Sequence, residues 1–276
     1  MRNFFVNPVL DKEIKIRFRN KKTFMSVGFY LFVLGFLMVG ILFISGYNYR
    51  AGYINPGEYV FLFQILSYIQ FALVLFLIPA ITAGVISSER EKQTLSMLLT
   101  TTQSSFSIIF SKLVSSVLFL LFLVVSSLPI YSFIFLFGGV SPAEVLSVMG
   151  MLLFIIFTFA SIGVCISTFI RKTIVSIVLT YCVFLFLLGG TFFIQLLLAM
   201  DSNGVMGDWV SFGLTVLNPI FAMISVINPE VMDANIFGGN VVDVPVWLVF
   251  IVVYSIISAL ILKLCSSKLR PNMKKG

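Results

Sequence analysis

Residues 87–112 read SSEREKQTLSMLLTTTQSSFSIIFSK, a polar, helix-forming insert between two long hydrophobic stretches. Ser88 followed by Glu91 has the spacing of a capping box at the start of a helix. Glu89 and Glu91 place negative charge where the helix dipole favours it. The apolar side chains that follow are Leu95, Met97, Leu98 and Leu99. We therefore expect a short helix over residues 88–99 whose exposed surface binds a protein partner or the membrane surface. A connector packed against the rest of the chain is the alternative.

The composition of the 276-residue chain is that of a membrane protein. Hydrophobic residues make up 59% of it and charged residues only 11%, and its mean hydropathy is +1.10. A soluble domain is about half apolar and about a quarter charged. The absence of histidine from the sequence excludes histidine-based catalysis and histidine metal ligands. Cys165, Cys182 and Cys265 lie in or beside apolar segments without a pairing motif, so neither a disulfide framework nor a metal site is expected.

Six apolar stretches are long enough to cross a hydrocarbon core, which takes about 20 helical residues. They are residues 24–45, 61–86, 113–137, 146–170, 174–200 and 244–262. The first stretch is too long for the apolar region of a signal peptide, so we expect it to remain as a span. Kinks are expected in the second and third spans at Pro79 and Pro129. The sequence thus predicts an all-α polytopic membrane protein with six transmembrane helices.

Residues 1–23 carry seven of the Lys and Arg side chains. Asn7-Pro8 suits a helix start, because Asn caps helices and Pro is favoured at the first helical position. Apolar side chains then gather on one helical face, with Arg17 and Lys21 on or near it. The basic side chains on the opposite face are Lys12, Lys15, Arg19 and Lys22. This pattern predicts an interfacial amphipathic helix on an anionic membrane surface. A disordered basic leader is the alternative.

The distribution of basic residues predicts that both termini are cytoplasmic. In that orientation the inner segments carry seventeen of the eighteen Lys and Arg residues, and the outer segments carry only Arg50. This is a strong positive-inside asymmetry. Lys112 and Lys263 lie near the inner ends of spans three and six, where long side chains can extend to the interface.

Residues 209–227 are apolar enough for a seventh span, but Asn218-Pro219 interrupts them. A further crossing would move either the basic C-terminus or the acidic outer loop, residues 201–243, to the other side. That loop has no Lys or Arg, and its five acidic residues are Asp201, Asp208, Glu230, Asp233 and Asp243. We therefore predict two short re-entrant or outer helices between spans five and six, packed over the spans. A true seventh span is the alternative.

Two motifs resemble those of the membrane (permease) subunits of type-2 ATP-binding-cassette (ABC) exporters. One is SEREKQTLSMLLTT at residues 88–101, followed by IIFSKL at residues 108–113, and the other is NPVLDKEIKIRFRNKKTF at residues 7–24. Six spans, a very short loop at Arg171-Lys172-Thr173 and a long outer loop before the last span agree with that family, so the resemblance covers essentially the whole chain. Many members have Gly at the position of Gln93 and Pro at that of Thr102. Both departures affect the ends of the helix.

The resemblance implies that the helix at residues 88–99 is a cytoplasmic coupling helix between spans two and three, which docks on a separate ABC ATPase subunit. The contact residues that it implies are Glu89, Arg90, Glu91, Lys92, Thr94, Leu95 and Leu98, with Arg171 and Lys172 in a smaller second contact. Closure of two ATPase subunits would move the docked helices and switch the exposure of a cavity between two six-span units. This chain therefore pairs with a second copy or a paralogue.

Nucleotide chemistry is expected in the partner and not in this chain. The sequence has no G-x-x-x-x-G-K-[ST] loop, which is the usual phosphate-binding loop of ATPases. We therefore expect a non-enzymatic subunit without a cofactor of its own, with ATP and Mg²⁺ bound by the ATPase. Nucleic-acid binding is not expected, because the basic residues are spread over loops and ends.

The predicted organisation is a connecting helix at residues 1–23, a transmembrane domain at residues 24–265 and a basic cytoplasmic tail at residues 266–276. The predicted function is export of a hydrophobic or amphipathic substrate, such as a peptide, an antibiotic or a lipid-like molecule, across the plasma (inner) membrane of a bacterium. An ATP-independent channel or ion-coupled transporter is disfavoured, because ion coupling usually needs ionisable groups inside the spans. Here the span interiors offer scattered Ser and Thr with Gln64, Gln70 and Gln195. A membrane scaffold or immunity protein is a further alternative. An intramembrane enzyme is disfavoured, since the spans carry no recognisable catalytic group.

Overall fold

The computed structural model describes residues 8–48, 56–94, 105–136, 140–200, 205–233 and 244–269. Over these residues the fold is all-α, as predicted. The α-helices are α1 (Pro8–Arg19), α2 (Lys21–Asn48), α3 (Pro56–Thr82), α4 (Ser87–Glu91), α5 (Ser105–Ser126), α6 (Leu128–Leu136), α7 (Pro142–Phe169), α8 (Thr173–Leu185), α9 (Thr191–Met200), α10 (Val205–Leu217), α11 (Pro219–Ile227), α12 (Pro229–Asp233) and α13 (Val246–Leu269). A π-helix, Phe186–Gly190, joins α8 to α9.

Six helical segments of the described chain are long and apolar enough to cross a membrane, which confirms the predicted set. They are Thr23–Phe43, Tyr59–Glu91, Ser105–Leu136, Pro142–Phe169, Thr173–Leu198 and Val246–Lys268. The number is seven if Trp209–Leu217 and Pro219–Ile227 together count as one span, although these two helices meet at 86°. The predicted pair of short helices joined at Asn218-Pro219 is therefore confirmed. Its re-entrant or outer position stays a prediction, and a broken seventh span stays the alternative.

The chain forms two compact units. One comprises Met1–Ile78 with Phe110–Ile156, and the other comprises Pro79–Ile109 with Phe157–Gly276. Helices α3, α5 and α7 contribute residues to both units. In the first unit, Leu66, Leu120 and Leu152 from these three helices are buried. Many large apolar side chains on α2 are exposed, for example Phe32 and Phe36, as expected of a helix surrounded by lipid.

Span three, whose break lies in the first unit, is interrupted at the position predicted from Pro129. Helix α5 ends at Ser126 and α6 begins at Leu128, because Pro129 has no N–H to continue the helical hydrogen bonds. The Ser127 hydroxyl at the break accepts a hydrogen bond of 3.0 Å from the side-chain amide of Gln70. Both residues are buried. Gln70 therefore holds helices together, which agrees with the usual role of polar side chains inside membrane bundles.

In the second unit, side-chain hydrogen bonds specify the elbow of the bent pair α10–α11. The side-chain oxygen Oδ1 of Asn218 accepts a hydrogen bond from the Ile220 N–H at 2.9 Å, which caps α11. The Asn218 amide donates to the Leu188 carbonyl of the π-helix at 3.0 Å. The Tyr254 hydroxyl of α13 donates to the Leu217 carbonyl at 2.6 Å. The elbow is thus fastened to the π-helix on one side and to the last span on the other.

A buried glutamine fastens the same bent pair to span five. The Gln195 amide of α9 donates to the hydroxyls of Ser211 at 2.6 Å and Thr215 at 3.0 Å, both on α10. All three side chains are buried. Gln195 therefore joins two helices, as Gln70 does in the first unit.

Candidate functional site

The predicted coupling helix is shorter than its sequence suggests. Helix α4 ends at Glu91, and Gln93 has a positive φ of 57°. The N–H of Thr94 donates to the Glu89 carbonyl at 3.0 Å, and that of Gln93 donates to the Arg90 carbonyl at 3.2 Å. This pair of bonds is a Schellman motif, which ends a helix at a left-handed residue. The prediction of one helix over residues 88–99 is wrong, because the helix ends at Glu91. Residues 95–99 lie outside the described residues.

Side chains from two other helices hold the turn at residues 83–86 that leads from α3 into α4. The backbone N–H groups of Ile86 and Ser87 both donate to the Ser167 hydroxyl at 2.9 Å. The Ser176 hydroxyl donates to the Ala83 carbonyl at 2.6 Å. Buried backbone groups that lack such partners are costly. Ser167 of α7 and Ser176 of α8 therefore fix where α4 lies in the second unit.

Glu91 does not close a capping box with Ser88. In the described residues, Ile86 is at the N-cap of α4 and supplies no side-chain cap. The Glu91 carboxylate instead accepts two hydrogen bonds from Thr173, from the backbone N–H at 3.1 Å and from the hydroxyl at 2.5 Å. Thr173 is the first residue of α8, and the first N–H groups of a helix have no acceptor within it. Glu91 therefore caps α8 from a distant segment.

This contact brings the two predicted ATPase-binding segments together. Arg171 and Lys172 are exposed and lie directly before Thr173, while Lys92 and Thr94 are exposed directly after Glu91. Glu89 and Arg90 are half-buried. Leu95 and Leu98 lie outside the described residues. The second unit thus presents one polar surface, made from the α4 turn and the start of α8, which we call the loop surface.

The comparison with known families assigns this chain. The profile described as ABC-2 family transporter protein matches residues 8–264. The chain belongs to this family. Among curated proteins there is no match. Membership in the ABC-2 family, together with six apolar spans, identifies the chain as a multi-pass permease subunit of an ABC transporter. An ABC-2 permease is the membrane subunit and associates with an ABC ATPase.

The N-terminal helix of the ABC-2 permease, Pro8–Arg19, packs on span three within the first unit. Lys112 Nζ lies 2.6 Å from Glu13 Oε1, and Phe18 meets Phe122 edge to face at 5.4 Å between ring centroids. The Arg17 guanidinium lies over the Phe119 ring, 5.9 Å from its centroid. The predicted helix is therefore confirmed, and its alternative, a disordered leader, is wrong for Pro8–Arg19.

Arg17 blurs the amphipathic pattern because it faces the protein. Its guanidinium donates to the Ser116 hydroxyl at 3.4 Å. Burial lowers the pKa of Arg17 from its usual value, and the nearby Glu13 carboxylate opposes that shift. A cation over an aromatic ring is stabilised by the negative ring face. The position that looked misplaced in the sequence is thus a contact between α1 and α5.

The other face of α1 carries the predicted membrane-surface residues. Lys12, Lys15 and Arg19 are all exposed, and Lys15 pairs with Asp11 at 2.7 Å. The side chain of Lys22 lies outside the described set. Ile16, beside these cations, is 62% exposed. The exposed face therefore combines positive charge with an apolar side chain.

Sequence reasoning missed the residues that hold both sites together. Ser167, Thr173 and Ser176 gave no motif, although each is a polar residue at an end of an apolar span. Glu13 was also missed, although it and Asp11 are acidic residues in a segment that is otherwise strongly basic. That contrast is a signal which could have found it, because a buried carboxylate is almost always paired and cations surround this one in the sequence.

Proposed function

We propose that this permease exports a hydrophobic or amphipathic substrate across a bacterial plasma membrane, with both termini in the cytoplasm. It acts as one of two membrane subunits, either two copies of this chain or this chain and a paralogue. A separate ABC ATPase supplies the energy and carries ATP and Mg²⁺. The observation that carries the proposal is the loop surface, an exposed polar turn joined by hydrogen bonds to the start of a membrane span.

The ATPase contact in this proposal is the loop surface itself. Its described members are Glu89, Arg90, Lys92, Thr94, Arg171 and Lys172. Charged groups of both signs at the rim of an interface steer a complementary partner and set its orientation. The strong asymmetry of basic residues supports the cytoplasmic side for this surface. An ABC ATPase acts in the cytoplasm, so the two inferences agree.

The proposed chemistry of the substrate rests on two features. A cavity of about 410 Å³ in the first unit is lined almost wholly by apolar side chains from α5, α6 and α7, including Leu128, Leu146 and Met149. Gln70 and Gln195 are buried and bonded to neighbouring helices. The membrane interior therefore offers apolar surface and few free polar groups, which suits a cargo that is itself apolar in part.

Helix α1 is proposed to rest on anionic lipid. Each basic side chain near such a surface contributes about 1 kcal/mol of attraction. The exposed Lys12, Lys15 and Arg19 supply that charge on one face. Since the opposite face is anchored to span three by Glu13 and Arg17, the orientation of the basic face is set by the fold.

Co-purification tests the proposal. The tagged permease would be extracted from its native membranes in a mild detergent, with an Arg90→Glu/Lys92→Glu variant beside the wild type. We expect an ABC ATPase to be recovered with the wild type and lost from the variant, because two charges on the contact are reversed. Lys268→Glu is the matched control, since Lys268 is exposed in the last turn of α13 and lies outside the loop surface.

Competing functions predict different outcomes. An ATP-independent channel or a scaffold would recover no ATPase with the wild type, and ATP would not change solute movement in proteoliposomes. Equal loss of the ATPase from Lys268→Glu and from the double variant would show a general effect of charge and remove the loop surface from the contact.

A further inference from the structure

Glu91 differs from its neighbours on the loop surface because its carboxylate is already engaged within the chain. Both of its oxygens accept hydrogen bonds from Thr173, 82 residues further along. Lys172, at the N-cap of α8, makes no side-chain capping bond in the described structure. The capping role that a residue of α8's own segment usually fills is thus supplied by Glu91.

Two further contacts join the same segments. The Ser176 hydroxyl donates to the Ala83 carbonyl at 2.6 Å. Gly84 lies so close to Thr173 that a Cβ added at Gly84 would be 3.3 Å from Thr173 Cγ2. The first turn of α8 is therefore held at Ala83–Gly84, before α4, and at Glu91, at the end of α4. A displacement of α4 reaches span five at both points.

The electrostatics favour this arrangement over a free carboxylate. The N-terminus of a helix carries a partial positive charge that stabilises a negative group placed on it. Hydrogen bonds in which the acceptor is ionised are stronger than those between neutral groups. Lys172 is adjacent to Thr173 in the chain and adds positive charge on the same side. Glu91 thus has a specific partner at the base of span five.

We propose that Glu91 is a positioning residue that couples movement of the loop surface to span five through Thr173, and that it is not a contact for the ATPase. The inference rests on the proposed function, since it assigns a route for the motion that the ATPase supplies. It also reassigns a residue that the family resemblance places in the ATPase contact. Span five is a suitable receiver, because a π-helix at Phe186–Gly190 interrupts it, and such segments often lie at functional sites.

The test follows span five directly with a label on the native Cys182, which is exposed on α8. Cys165→Ser and Cys265→Ser remove the other thiols, and an environment-sensitive bimane is attached to Cys182. A second preparation, with Cys182→Ser added, carries the label at Val125→Cys on span three, where Val125 is exposed. Emission is compared for the permease–ATPase complex in proteoliposomes with ADP and with ATP plus orthovanadate.

We expect both labels to respond to ATP plus orthovanadate in the background without further changes. Glu91→Ala should reduce the response at Cys182 by about fivefold or more, the lower range of typical coupling energies, while recovery of the ATPase stays unchanged. Thr173→Val, which removes only the hydroxyl donor, should give an intermediate loss. Thr173→Ser, which keeps that donor, should leave the response at Cys182 as large as in the background. The Val125→Cys label should continue to respond in every variant.

Three results would overturn the inference. The first is an unchanged response at Cys182 in Glu91→Ala. The second is loss of the ATPase from Glu91→Ala to the same extent as from Arg90→Glu/Lys92→Glu, which would return Glu91 to the contact. The third is a response at Val125→Cys but none at Cys182 before Glu91 is changed. Failure of the proposed function is distinct, because then no ATPase is recovered and neither label responds to nucleotide.

Discussion

Lys112 of α5 lies 2.6 Å from the Glu13 carboxylate of α1, with only 3% of the lysine side chain exposed. The Lys112 side chain therefore ends on α1, the helix predicted to lie at the membrane surface, and its extension to the interface stays a prediction. The carboxylate belongs to a residue 99 positions earlier in the chain, and the lysine end of the pair is buried where the two helices meet. This pair joins the N-terminal helix of the permease to span three.

Removing one member of the pair should destabilise the protein. Glu13→Gln removes the negative charge that lies 2.6 Å from the buried Lys112 ammonium, and breaking a buried ion pair costs about 3–5 kcal/mol. Since 21% of the Glu13 side chain is exposed, we expect a loss at the lower end of that range. The free energy of unfolding in detergent, followed by tryptophan fluorescence, measures it. Glu13→Leu/Lys112→Met is the control and should be close to neutral, because well-packed apolar pairs often replace buried ion pairs without loss.

Gln93→Gly should stabilise the loop surface. Gln93 has a φ of 57°, and a left-handed conformation costs an L-residue about 1–2 kcal/mol. Glycine adds about 0.4–1 kcal/mol of entropy to the unfolded chain, so the two ranges leave a net gain of about 0–1.6 kcal/mol. Hydrogen exchange at the Thr94 amide, which closes the Schellman motif, should slow. Gln93→Val is the matched opposite and should speed that exchange, and an equal effect of both substitutions would contradict the explanation from φ.

Gly163→Ala should be markedly destabilising. A methyl group on Gly163 of α7 would overlap the hydroxyl of Thr82 at the end of α3, and overpacking of this kind costs about 1–3 kcal/mol. Gly150→Ala, on the same helix, is the control, because no atom lies within 4 Å of the added methyl. Alanine there should stabilise α7 by about 0.5–1 kcal/mol, as expected for the removal of a helical glycine. Thermal unfolding midpoints that move together in both variants would be inconsistent with the packing explanation.

Both hydrogen bonds of the Asn218 side-chain amide should contribute to the stability of the fold. Asn218→Ala removes the α11 cap, worth about 1 kcal/mol, and leaves the Leu188 carbonyl without this donor, which costs about 1–3 kcal/mol. Asn218→Ser keeps a capping oxygen but is too short to serve Leu188, so it should lose only the second contribution. Thermal unfolding should therefore rank wild type above Asn218→Ser and Asn218→Ser above Asn218→Ala. Equal midpoints for the two variants would show that the cap does not contribute to stability.

The fold was largely predictable because its signals are local. Each span is a run of apolar residues long enough to cross the hydrocarbon core, and the break at Pro129 follows from one missing N–H group. The start of α1 at Pro8 and the elbow at Asn218-Pro219 follow from the same kind of short-range rule. The order and lengths of the helices therefore follow from hydropathy and from a few prolines.

The candidate site was predictable only in position. The sequence located the polar insert that begins at Ser87 and the short loop at Arg171, but it placed the end of the helix near residue 99. Gln93 adopts a conformation that most residues avoid, so propensity alone favoured a longer helix. Glu91 was assigned to a local cap and to the ATPase contact, and Thr173, its partner, was named only as part of the short loop and given no role.

Two S-x-x-E patterns in this chain separate the local contribution from the tertiary one. At Ser141 and Glu144 the capping box forms, with the Glu144 N–H donating to the Ser141 hydroxyl at 3.2 Å and the Ser141 N–H donating to the Glu144 carboxylate at 3.4 Å. At Ser88 and Glu91 it does not, because the start of α8 offers Glu91 two donors in place of one. The sequence by itself determined an all-helical membrane protein with six spans, since burial in lipid depends on the composition of each segment. Which distant group each polar side chain meets was decided only by the tertiary structure, because hydrogen bonds require donors within about 3 Å and sequence separation does not measure that distance.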